Sequence, residues 1–134
     1  MLAMSPFSPV PSYVLGTGLT FIGLLGFVKP LAMYDAYGVA RPLSSQPEPF
    51  AYGKSARDLA TGALFILMEM YQEGSGNEDA VTLLFATSAV IGFADWWVVK
   101  NSEGKAGKGD GRTALVHLGS GVVLGAFALW RMMY

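Results

Sequence analysis

The chain has 134 residues, 52% of them hydrophobic and only 14% charged, with a formal net charge of −1. That length suits a single domain. The near-neutral balance excludes a general electrostatic case for nucleic acid, and the lack of cysteine excludes a disulfide framework or a thiolate site. The few charges are unevenly placed: none occurs in residues 1–28, 80–94 or 113–130, and the last stretch holds the only histidine.

A helix that spans a bilayer needs about 20 mostly apolar residues. The predicted architecture is all-α, a four-transmembrane-helix bundle forming one integral membrane domain over 1–134, with helices at about 12–28, 56–72, 79–99 and 113–131. The alternative is a soluble four-helix bundle. It requires a polar outer stripe at helical period, and the first and fourth segments carry none.

No basic region precedes the first segment, so it reads as a retained span rather than a cleaved signal peptide. Gly16, Thr20 and Gly23 share one of its faces, and Tyr13 stands at its start. The first loop, KPLAMYDAYGVARPLSSQPEPFAYGK, is proline-rich. Its aromatic residues Tyr34, Tyr37, Phe50 and Tyr52 suit a loop that lies at the interface or folds back over the bundle. The second helix opens on Arg57 and Asp58. Asp58, Gly62, Phe65 and Glu69 follow i, i+4, i+7, i+11 spacing, which puts both carboxylates on one face. Glu69 then approaches the opposite side of the membrane, at a level Tyr13 could reach.

The third segment, AVIGFADWWVV, interrupts an apolar run with Asp95, five residues before Lys100. A buried carboxylate without a partner is costly, so Asp95 is near an edge, paired or functional. Trp96 and Trp97 suit an interfacial aromatic belt. The glycine-rich loop KNSEGKAGKGDGR lacks the spacing and the terminal Lys-Ser/Thr of a phosphate cradle and reads as a solvated linker. In the fourth segment His117, Gly121 and Gly125 share a face. The two glycines form a GxxxG pair that permits close helix approach.

The nine basic residues partition sharply. Lys29, Arg41, Lys54 and Arg57 flank the first loop, while Lys100, Lys105, Lys108 and Arg112 lie in or beside the third. Only Arg131 lies on the other side. The positive-inside rule places both basic loops in the cytosol and both termini on the non-cytosolic side. With that up-and-down order, Asp95 and His117 lie roughly 7–8 Å inside their loop ends, at 1.5 Å of rise per residue. Arg57, Asp58, Asp95 and His117 therefore fall in one layer. Each also has a structural reading: Arg57 and Asp58 as an ion pair at a helix start, where a carboxylate suits the helix dipole, Asp95 as a holder of Arg57, His117 as an interhelical contact, and Glu69 as an interfacial side chain.

The segments YGKSARDLATGALFILM, IGFADWWVV and GRTALVHLGSGVV resemble an uncharacterised, DUF-type family of small four-helix integral membrane proteins common in fungi. Members show a Gly-x-x-Arg-Asp start to helix two, an aspartate late in helix three and a histidine early in helix four, which correspond to Arg57, Asp58, Asp95 and His117. Ser55 stands where glycine is common. The resemblance spans about 13–130. It implies no assigned activity, but some members are encoded among fungal secondary-metabolite genes, where small membrane proteins of other families act as cyclases and isomerases.

The expectation is therefore a cofactor-independent membrane enzyme, an isomerase, a cyclase or a hydrolase, acting by proton transfer on a lipophilic polyketide or terpenoid. Asp58, Asp95, His117 and Arg57 are the expected catalytic residues. Glu69, Tyr13, Trp96 and Tyr52 are the expected substrate contacts, and no metal site is expected, because a lone histidine without HExxH-type spacing makes a poor transition-metal centre. The expected partners are the bilayer, the lipophilic substrate and, through the glycine faces, a second copy; the endoplasmic reticulum is the expected membrane. The rivals are a non-catalytic membrane subunit and a small proton-coupled transporter.

Overall fold

Prolines and one glycine punctuate the first half of the chain. In the computed structural model, which describes residues 7–42, 49–71, 76–102 and 111–134, the first helix, α1, runs Val10–Val28. It stops because residue 29 precedes a proline, and Lys29 takes the non-helical backbone that such a position favours (φ −132°, ψ 65°). Pro30 then opens α2, Pro30–Tyr37, at the first helical position, where a missing N–H costs nothing. Gly38, at φ 79°, ends α2 in the left-handed conformation, and its N–H returns to the carbonyls of Tyr34 and Asp35. Three long helices follow: α3 Pro49–Met70, α4 Gly76–Ser102 and α5 Gly111–Met132. Acidic Glu78 and Asp79 in the first turn of α4, and Lys100 in its last, complement the helix dipole.

The described residues form helices only, and three of the five helices, α1, α5 and the Asn77–Ser102 stretch of α4, are long and apolar enough to cross a membrane. The fourth expected span, α3, is not among them. It has the length but carries Lys54, Arg57, Asp58 and Glu69, which dilute its apolar character. Large apolar side chains cover the outward faces of the three apolar helices: Val14 and Phe21 on α1, Val90 on α4 and Val123 on α5 are each more than 60% exposed. Faces of that kind belong against hydrocarbon rather than water.

The long helices pair tightly, α1 with α3 and α4 with α5, while contacts between the two pairs are sparse. Glycine sets the tight spacing. A Cβ added at Gly23 would lie 2.6 Å from the Leu59 nitrogen, and one at Gly62 would lie 2.5 Å from the Thr20 nitrogen. In the other pair, a Cβ at Gly92 would lie 2.9 Å from the Gly121 Cα. Backbones this close gain dispersion along their whole length, which is how helices associate where the hydrophobic effect is weak. The pairing is antiparallel throughout, because Gly16 meets Phe65 while Gly23 meets Leu59, and Gly92 meets Gly121 while Thr82 meets Arg131.

Two clusters join the pairs. Phe65, Val81, Phe85 and Ala128 are buried together, with the Phe65 and Phe85 ring centroids 4.8 Å apart. At the other end, α2 folds back so that Met33, Tyr34 and Tyr37 are each only 3% exposed, and Tyr37 packs with Val99 and Ala114. A Cβ on Gly38 would lie 2.6 Å from the Thr113 side chain, so this turn is seated directly on the start of α5. Of the basic third-loop residues, Lys105 and Lys108 lie outside the described residues.

Candidate functional site

Each helix contributes one stripe at helical spacing to a common space. On α3 the stripe is Lys54, Arg57, Asp58 and Thr61; on α4 it is Ser88, Ile91, Gly92 and Asp95. Both follow i, i+3, i+4, i+7, the pattern of one helix face. His117, Ser120 and Leu124 of α5, Leu15, Leu19, Ile22 and Leu25 of α1, and Met33, Ala36 and Tyr37 of α2 complete the lining of a cavity of about 300 Å³. That volume lies within the range of small-molecule sites, as does an apolar wall with a few convergent polar groups.

The polar groups gather at the end covered by α2. Arg57 meets Asp95 in a bidentate pair, Nη1 to Oδ1 and Nη2 to Oδ2, both at 2.8 Å. Its Nε and Nη2 also donate to Asp58 Oδ1 at 3.3 and 3.2 Å, and Lys54 donates to the other oxygen of Asp58. The Tyr37 hydroxyl donates to Asp95 Oδ1 at 2.7 Å. Asp58 and Asp95 are 5% and 6% exposed. At that depth an unpaired carboxylate would be strongly destabilising, and the charge-assisted bonds offset its desolvation. Two cations face two carboxylates, so the layer is electrically balanced.

Tyr37 is the hub of the layer. The Lys54 ammonium lies 4.9 Å from its ring centroid, and the His117 ring meets it edge-on at 4.9 Å. Burial, and next the hydrogen bond to the Asp95 carboxylate, push the Tyr37 hydroxyl far above the ordinary tyrosine range. It stays protonated and serves as a fixed donor.

Two polar atoms along this lining are buried with no hydrogen-bond partner among the described residues: His117 Nε2 and Ser88 Oγ. Such an atom costs about 1–3 kcal/mol, so native proteins carry few of them without a reason. The contrast with neighbouring hydroxyls is direct. Thr82, Thr87 and Ser120 each donate to a carbonyl three or four residues back, at 2.7–2.9 Å, and Ser88 does not.

Of the residues singled out from the sequence, Arg57, Asp58, Asp95 and His117 line one cavity. The other four lie elsewhere. Glu69 is buried at the opposite end, within electrostatic reach of Arg131. Tyr13 is 38% exposed, on the outward side of α1 beside buried Ser12. Tyr52 packs against Phe27 on the surface, and Trp96 lies under the Lys100 ammonium and against Trp97. Five further polar residues line the cavity that the sequence reading does not assign to the site: Tyr37, Lys54, Thr61, Ser88 and Ser120. The i, i+4 spacing of Lys54 to Asp58, and the seven-residue spacing of Ser88 to Asp95, carried the signal for two of them. Tyr37 is marked only as one of the four aromatic residues of the first loop. Among the described residues no group of three or more His, Asp or Glu side chains is placed to hold a metal ion.

A glycine-packed helical membrane-type protein with a balanced charge layer at one end of an apolar cavity is the class so defined. A family model described as a domain of unknown function (DUF4267) matches residues 16–131, and the chain belongs to that family. No curated protein and no solved structure matches it.

Proposed function

We propose that the protein is a small membrane-embedded enzyme, an isomerase or cyclase, that moves a proton on a lipophilic substrate held in the α1–α5 cavity. The observation that carries this is the joining, in one space, of apolar walls, a neutralised Arg57–Asp95–Asp58–Lys54 layer and a histidine whose Nε2 has no partner among the described residues. In this reading the His117 imidazole takes a proton from one substrate atom and returns it to another, a step worth typically 10²–10⁴-fold in rate. Arg57 lines the cavity with its guanidinium held by two carboxylates, where its charge would stabilise an oxygen that gains negative charge. Asp95 and Tyr37 position that guanidinium. No cofactor is required by such a step.

α3 crosses the membrane with the other long helices in this reading, making four spans, because its charges turn inward to partners rather than outward to lipid. The basic loops then face the cytosol and the termini the opposite side. The polyketide or terpenoid substrate, the fungal biosynthetic setting and the endoplasmic reticulum follow from the family resemblance alone. A transporter would need a polar route from the Arg57 layer to Glu69, and the apolar Phe65–Phe85–Val81 cluster lies between them. The non-catalytic reading has a specific observation in its favour: both oxygens of Asp95 are occupied by Arg57 and Tyr37, as a structural latch requires.

The test is an untargeted metabolite comparison of cells expressing the wild type or His117→Ala at matched membrane levels. A lipophilic compound that changes isomeric form only with the wild type supports catalysis. Identical pools from two folded proteins count against it.

A further inference from the structure

We infer that the cavity selects an uncharged amphiphile, an apolar chain bearing hydroxyl or carbonyl oxygens, taken from the membrane through the side of the bundle between α1 and α5. This ligand is the substrate class of the enzyme proposed above, and it is argued from three independent features of the site.

Charge balance sets the first property. Lys54 and Arg57 are matched by Asp58 and Asp95 through direct contacts, and the rest of the lining is apolar or hydroxylic except for the imidazole of His117. A charged head group would bring an uncompensated charge into this space, and that is the costliest thing a buried site can accept. A neutral oxygen finds hydrogen-bonding partners there without disturbing the pairs.

Ser88 sets the second. It is 7% exposed, it lines the cavity, and its Oγ has no partner among the described residues. Seven residues before Asp95, it stands about 10 Å further along α4 at 1.5 Å per residue. A hydroxyl at that depth, in an otherwise aliphatic stretch, gives an elongated ligand a second polar contact.

The third is the access route. α1 packs on α3 and α5 packs on α4, but α1 and α5 barely meet. Ile22 and Leu25 of α1 are 41% and 39% exposed while also lining the cavity, and Ser120 of α5 is likewise both exposed and part of the lining. A space whose lining is continuous with a lipid-facing surface fills from the lipid.

The experiment uses three photoreactive probes with one diazirine-bearing ten-carbon chain: decanol, decyl sulfate and decyltrimethylammonium. Each is added to the full chain in phosphatidylcholine vesicles, and cross-links are mapped by peptide mass spectrometry and normalised to the amount partitioned. The expected result is that the decanol probe labels Leu19, Ile22 and Leu124 at least about tenfold more than either charged probe. Ser88→Ala, which removes no hydrogen bond made among the described residues, lowers that labelling about fivefold, the worth of one hydrogen bond. Equal labelling by a charged probe overturns the inference, as does labelling confined to outward residues such as Phe21 and Val123, or a Ser88→Ala variant that labels like the wild type. Selective labelling together with a silent His117→Ala metabolite comparison leaves the ligand class standing and removes the catalytic reading; the reverse pattern removes only the ligand class.

Discussion

Arg57 and Arg131 are two arginines on opposite ends of the same bundle, and they are held in different ways. Arg57 is neutralised by geometry: a bidentate carboxylate, a second carboxylate beside it and a tyrosine bracing the first. Arg131 donates to the Thr82 hydroxyl at 2.9 Å and the Glu78 carbonyl at 3.3 Å, and the charges of Glu69 and Glu78 also act on it. Its guanidinium lies 4.9–5.9 Å from the ring centroids of Phe7, Phe85 and Phe127, a cation–π setting that needs no cavity. Arg131 is 4% exposed, whereas the Arg57 side chain is 34% exposed and borders open space. One arginine is packed as a structural element. The other is fixed in place with room left beside it, as a group must be if it is to meet a ligand.

The sharpest way to break that contrast is Asp95→Ala. It leaves the Arg57 charge with Asp58 alone and the Tyr37 hydroxyl without its acceptor, so the loss expected is about 3 kcal/mol, the scale for one half of a buried pair. A marked fall in the thermal midpoint in detergent checks it. The double replacement Arg57→Met with Asp95→Leu removes both charges and should recover most of that stability. If the recovered protein still converts or binds the ligand, the layer is a latch and the functional contrast fails. If it is stable and inert, the arginine is needed for more than packing.

Arg131→Met comes next. It removes a cation within electrostatic reach of buried Glu69 and the donor to Thr82, at an expected cost of about 2 kcal/mol, with labelling of the cavity by the decanol probe unchanged. Lost labelling in a folded variant would mean that the two ends are coupled through the Phe65–Phe85 cluster and are not separable regions at all.

Charge scarcity made the Arg57 layer legible. When a chain has so few ionisable groups inside its apolar runs, counting depth along antiparallel helices brings Arg57, Asp58, Asp95 and His117 to one level without any knowledge of packing. The same counting put Glu69 at the far end, but Arg131 served there only as a charge for orientation, and nothing in the pattern showed it turning inward to Thr82. Tyr13 is expected at the site from its depth level with Glu69, and Trp96 follows directly on Asp95 in the chain. Neither these two nor Tyr52 lines the cavity: Tyr13 and Tyr52 are 38% and 40% exposed, and Trp96 packs beside the Tyr37–Val99–Ala114 cluster. Tyr37 is legible only as one aromatic residue of a loop that lies at the interface or folds back over the bundle, and its place in the site is not. It lies in a short helix between Lys29 and Gly38, and its burial depends on α2 closing over the bundle, a tertiary event set by Gly38 and Thr113 rather than by any period.

Ser88→Ala should act in the opposite direction to the arginine replacements. Removing a buried hydroxyl that has no partner among the described residues relieves an unsatisfied group, so the variant should be more stable by about 1 kcal/mol while binding the amphiphile less well. A thermal midpoint that falls instead would show that Ser88 already has a partner within the bundle, and the polar character of the cavity would then end at the Arg57 layer.

The smallest effect is a titration. The Tyr37 hydroxyl has its folded value raised far above the ordinary tyrosine range, by burial and then by Asp95. A tyrosine in the unfolded chain ionises near pH 10. The neutral hydroxyl's contribution to stability is therefore fully present below about pH 10 and is lost as pH rises from there toward the folded value. Among the chain's 6 tyrosines, followed by tyrosinate absorbance in detergent, Tyr37 should ionise only as the protein unfolds, and Tyr37→Phe should remove that late component. Early ionisation of Tyr37 in folded protein would mean that water reaches Asp95 freely. The Arg57 layer would then be an exposed ion-pair network of little energetic weight, and Arg131 would be the more deeply held of the two arginines in energy as well as in exposure.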